Sequence, residues 1–401
     1  MRSEDFGHVR IKCLAFLLAV SACWLTGCSL LNPDGASKST PALRALQSVK
    51  EKYAPDSHLA IFNVGLQRRG AELILTGEVD RAEAKLEAVR AVERTGIKVT
   101  DRIDVLPSER LGEKLWGISC VSVASGRELP DHKAEMGTQI LMGNVVRLWN
   151  RTTNANFTWY LGQSADGYLS WLERETLFRC TREQVQAWER APLLIVTASE
   201  DIVLEKAEGG AQPVSDVVTG DLVKMTREEG DWFQVELPDG RVGFLPKKSA
   251  QNYAAWKSSR RPTPENIERT ARTFLGRPYL WGGNSPKGLD CSGFAKLVFL
   301  LNGIELKRNA SHQAQEGAEV PLDAELSQLK KGDLLKKGDL LFFGHRAKRD
   351  KPERVTHVGI YLGNKLFIQS SELVKISSLD PDSPICDEFR VRSLIRAKRV
   401  L

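Results

Sequence analysis

The stretch GLDCSGFAKLVF, residues 288–299, decides how the C-terminal part of this 401-residue chain folds. Apolar side chains in and just after it recur at three- and four-residue intervals, which predicts one buried face of an α-helix. They are Phe294, Leu297, Val298 and Leu301. Cys291 precedes this face and falls in the first helical turn. The positive end of the helix dipole favours a thiolate there, so we expect a lowered pKa for this thiol.

A cysteine nucleophile also needs a base, and the chain offers six histidines. His357 lies in VTHVGIYLGNKLFIQSSE, residues 355–372, whose alternation of apolar and polar side chains predicts a β-hairpin with a short Leu-Gly-Asn turn. If Tyr361 faces Lys365 across the hairpin, His357 faces Gln369 on the same surface. The residues alone therefore predict a nucleophile, a base and an orienting amide.

Four motifs of the last 140 residues carry a family resemblance: RPYLWGG, GLDCSGF, GDLLFF and HVGIYLG, in that order. Together they resemble the NlpC/P60 family of papain-like cell-wall peptidases. The resemblance implies that Cys291 is the nucleophile, His357 the base and Gln369 the orienting residue. It also implies that Tyr279 points its hydroxyl towards the oxyanion. The family more often has histidine at the third position, but a glutamine amide can also hold one tautomer of the imidazole.

The fold class predicted for the whole chain is multidomain α+β, with a papain-like catalytic domain at residues 262–401. Before it, residues 115–180 and 192–250 consist of short alternating runs with turn signals such as ADG and PDG, which is typical of all-β structure. Their aromatic spacing resembles two bacterial SH3-like barrels. Residues 42–106 show an α-β-β-α-β order that resembles the small BON-type modules of bacterial envelopes.

Relatives with two SH3-like barrels resemble γ-D-glutamyl-L-diamino acid endopeptidases, which act on peptidoglycan stem peptides that have a free N-terminal L-Ala. In that resemblance the first barrel supplies an acid and a tyrosine for the amine, at positions that match Glu135 and Tyr168. Asp290, Ser292 and Ser311 would complete the substrate pocket. A buried ammonium needs carboxylates at contact distance, which makes this set chemically sensible.

The N-terminus resembles a bacterial lipoprotein signal over residues 1–28. Basic residues precede the apolar run CLAFLLAVSACW, and the box LTGC ends at Cys28. The resemblance implies lipidation of Cys28, attachment to a membrane and a location in the cell envelope. Ser29 after the cysteine favours the periplasmic face of the outer membrane. Residues 29–41, rich in Ser, Pro and Gly, then form a tether.

Composition excludes some functions and leaves others open. The net charge of +6 is mild, and no cluster of Lys and Arg with interleaved aromatics predicts nucleic-acid binding. No spacing of His, Cys and Asp predicts a metal, and no cofactor is expected. Cys120 and Cys180 bracket the first predicted barrel, so a disulfide and two unpaired thiols are both open.

Two other functions also remain open on the sequence alone. Gln369 favours an inactive cell-wall binding or scaffolding lipoprotein. An amidase or acyltransferase of the same papain-like clan is disfavoured by the DCSGF and HVGIYLG pair.

Overall fold

A computed structural model describes residues 41–69, 72–322 and 335–401 of the chain. The predicted signal segment, the lipidation site Cys28 and the tether up to residue 40 lie outside the described residues. Among the helices that are described, none combines the length and the apolar character needed to cross a membrane.

The N-terminal unit has the predicted order of elements. They are α1 (Pro41–Tyr53), β1 (Phe62–Arg69), β2 (Glu72–Val79), α2 (Ala82–Glu93) and β3 (Lys98–Val105). β2 is the central strand, antiparallel to β1 and parallel to β3. The two helices bury apolar side chains such as Leu46 and Val92 against Leu75 and Ile103 of the sheet, which gives this unit its own core.

Two seven-stranded antiparallel sheets follow. The first contains β4 (Trp116–Ser119), β5 (Val123–Arg127), β6 (Met136–Leu141), β7 (Val145–Asn154), β8 (Phe157–Gln163), β9 (Leu169–Glu173) and β10 (Leu177–Cys180), in the order β10-β4-β7-β8-β9-β5-β6. Helix α3 (Arg182–Glu189) leads to the second sheet, whose strands are β11 (Leu193–Val196), β12 (Glu200–Leu204), β13 (Pro213–Val218), β14 (Leu222–Glu229), β15 (Trp232–Glu236), β16 (Val242–Pro246) and β17 (Ala250–Asn252). Its order is β13-β12-β16-β15-β14-β11-β17. Residues 115–252, all of them described, therefore form open sheets with two end strands each, where the sequence predicted barrels.

A buried carboxylate joins the two sheets. Asp221 is fully buried and accepts hydrogen bonds from the backbone N–H of Met142, at the end of β6, at 3.0 Å, and from that of Val218 at 2.8 Å. Leu222 also donates its backbone N–H to the Met142 carbonyl at 3.0 Å. Burial raises the pKa of Asp221, although both hydrogen bonds oppose the shift.

The C-terminal domain combines one sheet with several helices. Its helices are α4 (Tyr253–Ser258), α5 (Pro264–Arg272), α6 (Cys291–Leu300), α7 (Ala310–Gln313) and α8 (Glu388–Ser393). A two-stranded ribbon is formed by β18 (Asn284–Ser285) and β19 (Gly288–Leu289). The six-stranded antiparallel sheet has the order β20-β25-β21-β22-β23-β24, with β20 (Ala318–Glu319), β21 (Leu340–His345), β22 (Arg354–Gly363), β23 (Leu366–Ser371), β24 (Leu373–Ser378) and β25 (Leu394–Arg399). Helix α6 packs on β22 and β23.

Strand β6 of the first sheet runs along the loop that leads to α6. The backbone N–H of Asn284 donates to Gln139 Oε1 at 3.0 Å, and Gly282 lies so close that a Cβ there would be 2.2 Å from the carbonyl oxygen of Met136. Gly282 also has φ +77°, which favours glycine. The first sheet is thus fitted against the segment of the C-terminal domain that leads into α6.

Candidate active site

Cys291 is the first residue of α6, as predicted. Asp290 caps the helix by accepting a hydrogen bond from the backbone N–H of Gly293 at 2.7 Å. The first turn lies against the loop before it, since a Cβ at Gly293 would stand 2.0 Å from the carbonyl oxygen of Gly283. Cys291 is buried with only 8% of its surface exposed. The thiol therefore lies at a helix N-terminus that is held rigidly on both sides.

His357 reaches Gln369, although not through the predicted backbone register. The ring Nε2 lies 2.7 Å from Gln369 Oε1, and both side chains are buried. The predicted register is wrong by two residues, because Tyr361 pairs with Phe367 and not with Lys365. The turn consists of Asn364 and Lys365, both with positive φ, and a bulge at Leu362 precedes it. A shift of two residues keeps side chains on the same face, so the contact survives.

Gln369 is itself held by three further hydrogen bonds. Its Nε2 donates to Ser377 Oγ at 2.9 Å and to Asp387 Oδ2 at 3.0 Å. Arg390 Nε donates to Gln369 Oε1 at 3.2 Å. Because the amide nitrogen faces two acceptors, the amide oxygen is left to accept from the His357 ring. The amide therefore favours the tautomer of His357 with a proton on Nε2, which leaves Nδ1 as the base.

A cavity of about 300 Å³ opens next to this pair. Its lining residues are Tyr279, Thr356, His357, Ser371, Glu372 and Arg390. Tyr279 is anchored through its backbone N–H, which donates to the carbonyl oxygen of Glu372 at 2.8 Å. Burial raises the pKa of the Tyr279 phenol, and the Asp290 carboxylate and the ionised form of Cys291 act in the same direction. The phenol stays protonated and can donate a hydrogen bond.

The electrostatics of the thiol differ from the prediction. Burial raises the pKa of Cys291 to about 11, and the Asp290 carboxylate acts in the same direction. Backbone N–H groups of Val358 and Ser292 oppose the shift without overcoming it. Burial also lowers the pKa of His357 to about 3, and the Arg390 guanidinium adds to this shift. The predicted lowering of the thiol pKa is wrong, because burial and a neighbouring carboxylate outweigh the helix N-terminus.

At neutral pH these values describe a neutral thiol and a neutral imidazole, and the backbone N–H of Val358, the residue after His357, is directed at the thiol. Such a pair can act by transferring the proton from Cys291 to His357 as the sulfur attacks a carbonyl carbon. An amide bond in the cavity could then be cleaved through an acyl-enzyme.

Asp290 and Ser292 have a partner that the sequence analysis missed. Arg308 is fully buried and places Nη2 2.5 Å from Asp290 Oδ2 and Nη1 3.1 Å from Ser292 Oγ. Its Nε donates to Thr138 Oγ1 of β6 at 3.1 Å. Burial would lower the pKa of Arg308, but Asp290 more than offsets this. Since Arg308 engages both oxygens of Asp290, the structure does not bring Asp290 forward as a ligand for a substrate ammonium.

The other predicted pocket residues do not all come together. Tyr168 is buried and donates its hydroxyl to Glu128 Oε1 at 3.1 Å, so the acid beside it is Glu128 and not Glu135. Glu135 instead accepts a hydrogen bond from Trp281 Nε1 at 2.6 Å. Ser311 lies exposed in α7.

No local pattern in the sequence marks the three site residues that were missed, Glu128, Arg308 and Arg390. Arg308 stands in the polar stretch KRNASHQ, which is typical of a solvated loop. The only available hint was that α6 buries its capping acid, Asp290, because a buried carboxylate needs a cationic partner.

No group of three or more metal-binding side chains occurs within residues 41–69, 72–322 and 335–401. Cys120 and Cys180 are both buried free thiols, so of the two alternatives the structure has the unpaired one. Burial raises the pKa of each of these thiols to about 11. They are consistent with packing residues of the first sheet.

Comparisons with known proteins agree with this geometry. Residues 276–392 match the NlpC/P60 family. The chain is 28% identical over 265 residues to dipeptidyl-peptidase 6 of Lysinibacillus sphaericus, covering 64% of this chain and 89% of that protein. It is 27% identical over 267 residues to a gamma-D-glutamyl-L-lysine dipeptidyl-peptidase of Bacillus cereus, covering 66% of this chain and 72% of that protein.

A solved structure shows the same fold over most of the chain. The crystal structure of an NlpC/P60 family protein from Bacillus cereus superposes with a TM-score of 0.57 at 22% identity, over 71% of this chain and 99% of the other. The common fold thus extends beyond the residues that match the family. With the buried thiol, the imidazole and its amide in one domain, residues 276–392 are an NlpC/P60 domain, and the chain is a cysteine peptidase, which is a hydrolase.

Proposed function

We propose that this peptidase cleaves the bond between γ-D-Glu and the following diamino acid in peptidoglycan stem peptides that have a free N-terminal L-Ala. The observation that carries the proposal is the hydrogen bond between Gln369 and His357, which lines the cavity and precedes Val358, whose backbone N–H is directed at the Cys291 thiol. Two relatives named for γ-D-glutamyl-L-lysine dipeptidyl-peptidase activity support the substrate class.

The residues divide the reaction between them. Gln369 holds the Nε2–H of His357, so that Nδ1 takes the proton from Cys291 while the sulfur attacks the γ-glutamyl carbonyl carbon. The hydroxyl of Tyr279 and the backbone N–H of Cys291 donate to the oxyanion. His357 then returns the proton to the leaving amine, and water hydrolyses the thioester by the same route.

The free amine of L-Ala would bind at Glu128 and Tyr168. This pair replaces the predicted pair of Glu135 and Tyr168, because Glu128 is the carboxylate that contacts the Tyr168 hydroxyl. Glu128 is about two thirds shielded from solvent, with 35% of its side chain exposed, so an ammonium there is largely desolvated. N-acylated stem peptides of intact peptidoglycan carry no such charge and would be poor substrates.

Further parts of the proposal concern the rest of the chain. We take the N-terminal unit as a BON-like module, which its α-β-β-α-β order supports, and the two seven-stranded sheets as SH3-like domains that do not close into barrels, which their short antiparallel strands support. The LTGC box supports a lipid anchor at Cys28 and a location in the cell envelope, at the periplasmic face of the outer membrane.

Hydrolysis of defined peptides tests the proposal. The chain should hydrolyse L-Ala-γ-D-Glu-diaminopimelate or its L-lysine counterpart, release the dipeptide L-Ala-γ-D-Glu, and leave the N-acetylated forms intact. The Cys291→Ala variant serves as the inactive control. Equal rates on free and acetylated peptides would refute the amine subsite, and no hydrolysis of either would refute the proposed reaction.

A further inference from the structure

A loop of the N-terminal unit reaches the proposed amine subsite. In this loop, which joins α1 to β1, His58 places its Nε2 3.5 Å from Glu128 Oε2. Its ring stacks on that of Tyr168 with 5.1 Å between ring centroids and an angle of 23°. The carbonyl oxygen of His58 accepts the backbone N–H of Leu169 at 2.8 Å. His58 thus contacts both side chains that we assign to the substrate amine.

The loop is fixed from the other side by the catalytic domain. Asp56 accepts from His58 Nδ1 at 3.0 Å through Oδ1 and contacts Nε2 of His312 at 2.5 Å through Oδ2. His312 belongs to α7, four residues after Arg308. Gln163 Nε2 donates to the carbonyl oxygen of Leu59 at 3.3 Å. Three parts of the chain therefore meet at His58, and its position at Glu128 is built into the fold.

The charges around His58 favour its protonated form. Two carboxylates, Asp56 and Glu128, face its two ring nitrogens, and Tyr168 covers its ring. Two other cationic or titratable groups lie nearby. His312 contacts Asp56, and the positive charge of Arg308 helps to lower the pKa of Glu128. The hydrogen bond with Glu128 raises the pKa of His58, although burial opposes the shift.

We propose that the His58 imidazolium is an internal competitor for the substrate ammonium at Glu128, so that the N-terminal unit sets the affinity for free-amine peptides. The inference rests on the proposed function, because it takes Glu128 as the site of that amine. An imidazolium and a primary ammonium are both cationic N–H donors, and one carboxylate cannot pair closely with both in the same place.

The competition gives a pH dependence with a defined sign. The contact with Glu128 raises the pKa of His58 above the free histidine value of about 6.5. The pairing of His58 with Glu128 is therefore strongest below pH 6.5 and is lost as the pH rises through the raised pKa. The amine of a peptide stays protonated up to about pH 7.7–8.0. The Michaelis constant should therefore fall as His58 loses its proton and rise again as the substrate amine does. Since the pKa of His357 lies far lower, this change would not come from the catalytic base.

Steady-state kinetics of the full chain between pH 5.5 and 8.5 test the inference. His58→Gln keeps a side chain that can donate to Glu128 but removes the charge. We expect it to lower KM at pH 6 by about tenfold, as for the loss of one competing charge-assisted hydrogen bond, and to flatten the profile without changing kcat. His132→Gln is the matched control, because His132 contacts Glu173 of the same sheet at 3.0 Å. A wild-type KM for His58→Gln at pH 6 would overturn the inference.

A measurement without turnover separates this inference from the proposed reaction. In the Cys291→Ala chain, the imidazole of His58 is titrated by NMR with and without the dipeptide L-Ala-γ-D-Glu. We expect the dipeptide to release His58 and lower its pKa, and Glu128→Gln to do the same without ligand. Binding of the dipeptide with an unchanged His58 titration would refute competition. If wild-type chain hydrolyses nothing while the dipeptide still displaces His58, only the proposed reaction fails.

Discussion

Replacing Gln369 by alanine tests the role of the amide that takes the place of the usual third histidine. The substitution removes the acceptor 2.7 Å from His357 Nε2 and leaves that ring N–H without a partner. His357 is only 5% exposed, so water cannot easily replace the acceptor. The substitution should therefore lower kcat/KM, because holding the His357 ring in its productive tautomer costs more free energy.

The size of the effect follows from the cost of an unsatisfied buried donor. This cost is about 1–3 kcal/mol. At about 1.36 kcal/mol for each factor of ten, it corresponds to a loss of about 5- to 160-fold in kcat/KM for the stem peptide. Gln369→Glu keeps an acceptor of the same length, although its charge lies beside Asp387, and should recover part of the loss.

The assay is kcat/KM on L-Ala-γ-D-Glu-diaminopimelate, with the free energy of unfolding measured in parallel. Asn302→Ala provides the control, because Asn302 is also buried and its Nδ2 donates to Thr270 Oγ1 at 3.0 Å and the Val298 carbonyl at 2.8 Å, away from the cavity. Equal destabilisation of both variants with activity lost only in Gln369→Ala supports the role of the amide. If Gln369→Ala keeps kcat/KM within twofold of wild type, the argument from tautomer control is wrong.

Three more measurements test the electrostatics of the site. Alkylation of Cys291 by iodoacetamide should accelerate through the alkaline range towards its pKa of about 11, and a plateau reached by pH 8 would contradict this value. Arg308→Met leaves a buried carboxylate without its partner and should cost about 3–5 kcal/mol of unfolding free energy, against less than about 1 kcal/mol for Arg272→Met in an exposed pair. Equal denaturant midpoints for the two variants would refute this difference. Arg390→Ala removes a cation that lowers the pKa of His357, so the acidic limb of kcat should move to higher pH, and an unmoved limb would show that burial alone sets it.

The local parts of the catalytic site could be predicted from the sequence because they depend on short-range patterns. The apolar periodicity after Cys291 marks the helix, and Asp290 precedes it as a cap. The alternation around His357 marks a strand, and a register error of two residues did not change which face its side chain shares with Gln369.

The other parts depend on packing between distant segments. Glu128 and His58 are 70 residues apart in the chain, and no local pattern indicates that the N-terminal loop lies against the first sheet. The hairpin has a bulge at Leu362 and a two-residue turn with positive φ at Asn364 and Lys365, which the sequence did not distinguish from a three-residue turn. The raised thiol pKa reflects the depth of burial around Cys291, which is a property of the whole domain.

The fit of β6 against the loop before α6 bears on how the protein can be dissected. A fragment of residues 262–401 alone would lack two acceptors, Gln139 for the backbone N–H of Asn284 and Thr138 for Arg308 Nε. These donors are buried in the full chain and would be exposed in the fragment. Asp221 in turn ties the first sheet to the second. The smallest fragment that preserves the geometry of the reactive cysteine should therefore begin near residue 115, and recombinant work on the isolated peptidase half would study a weakened enzyme.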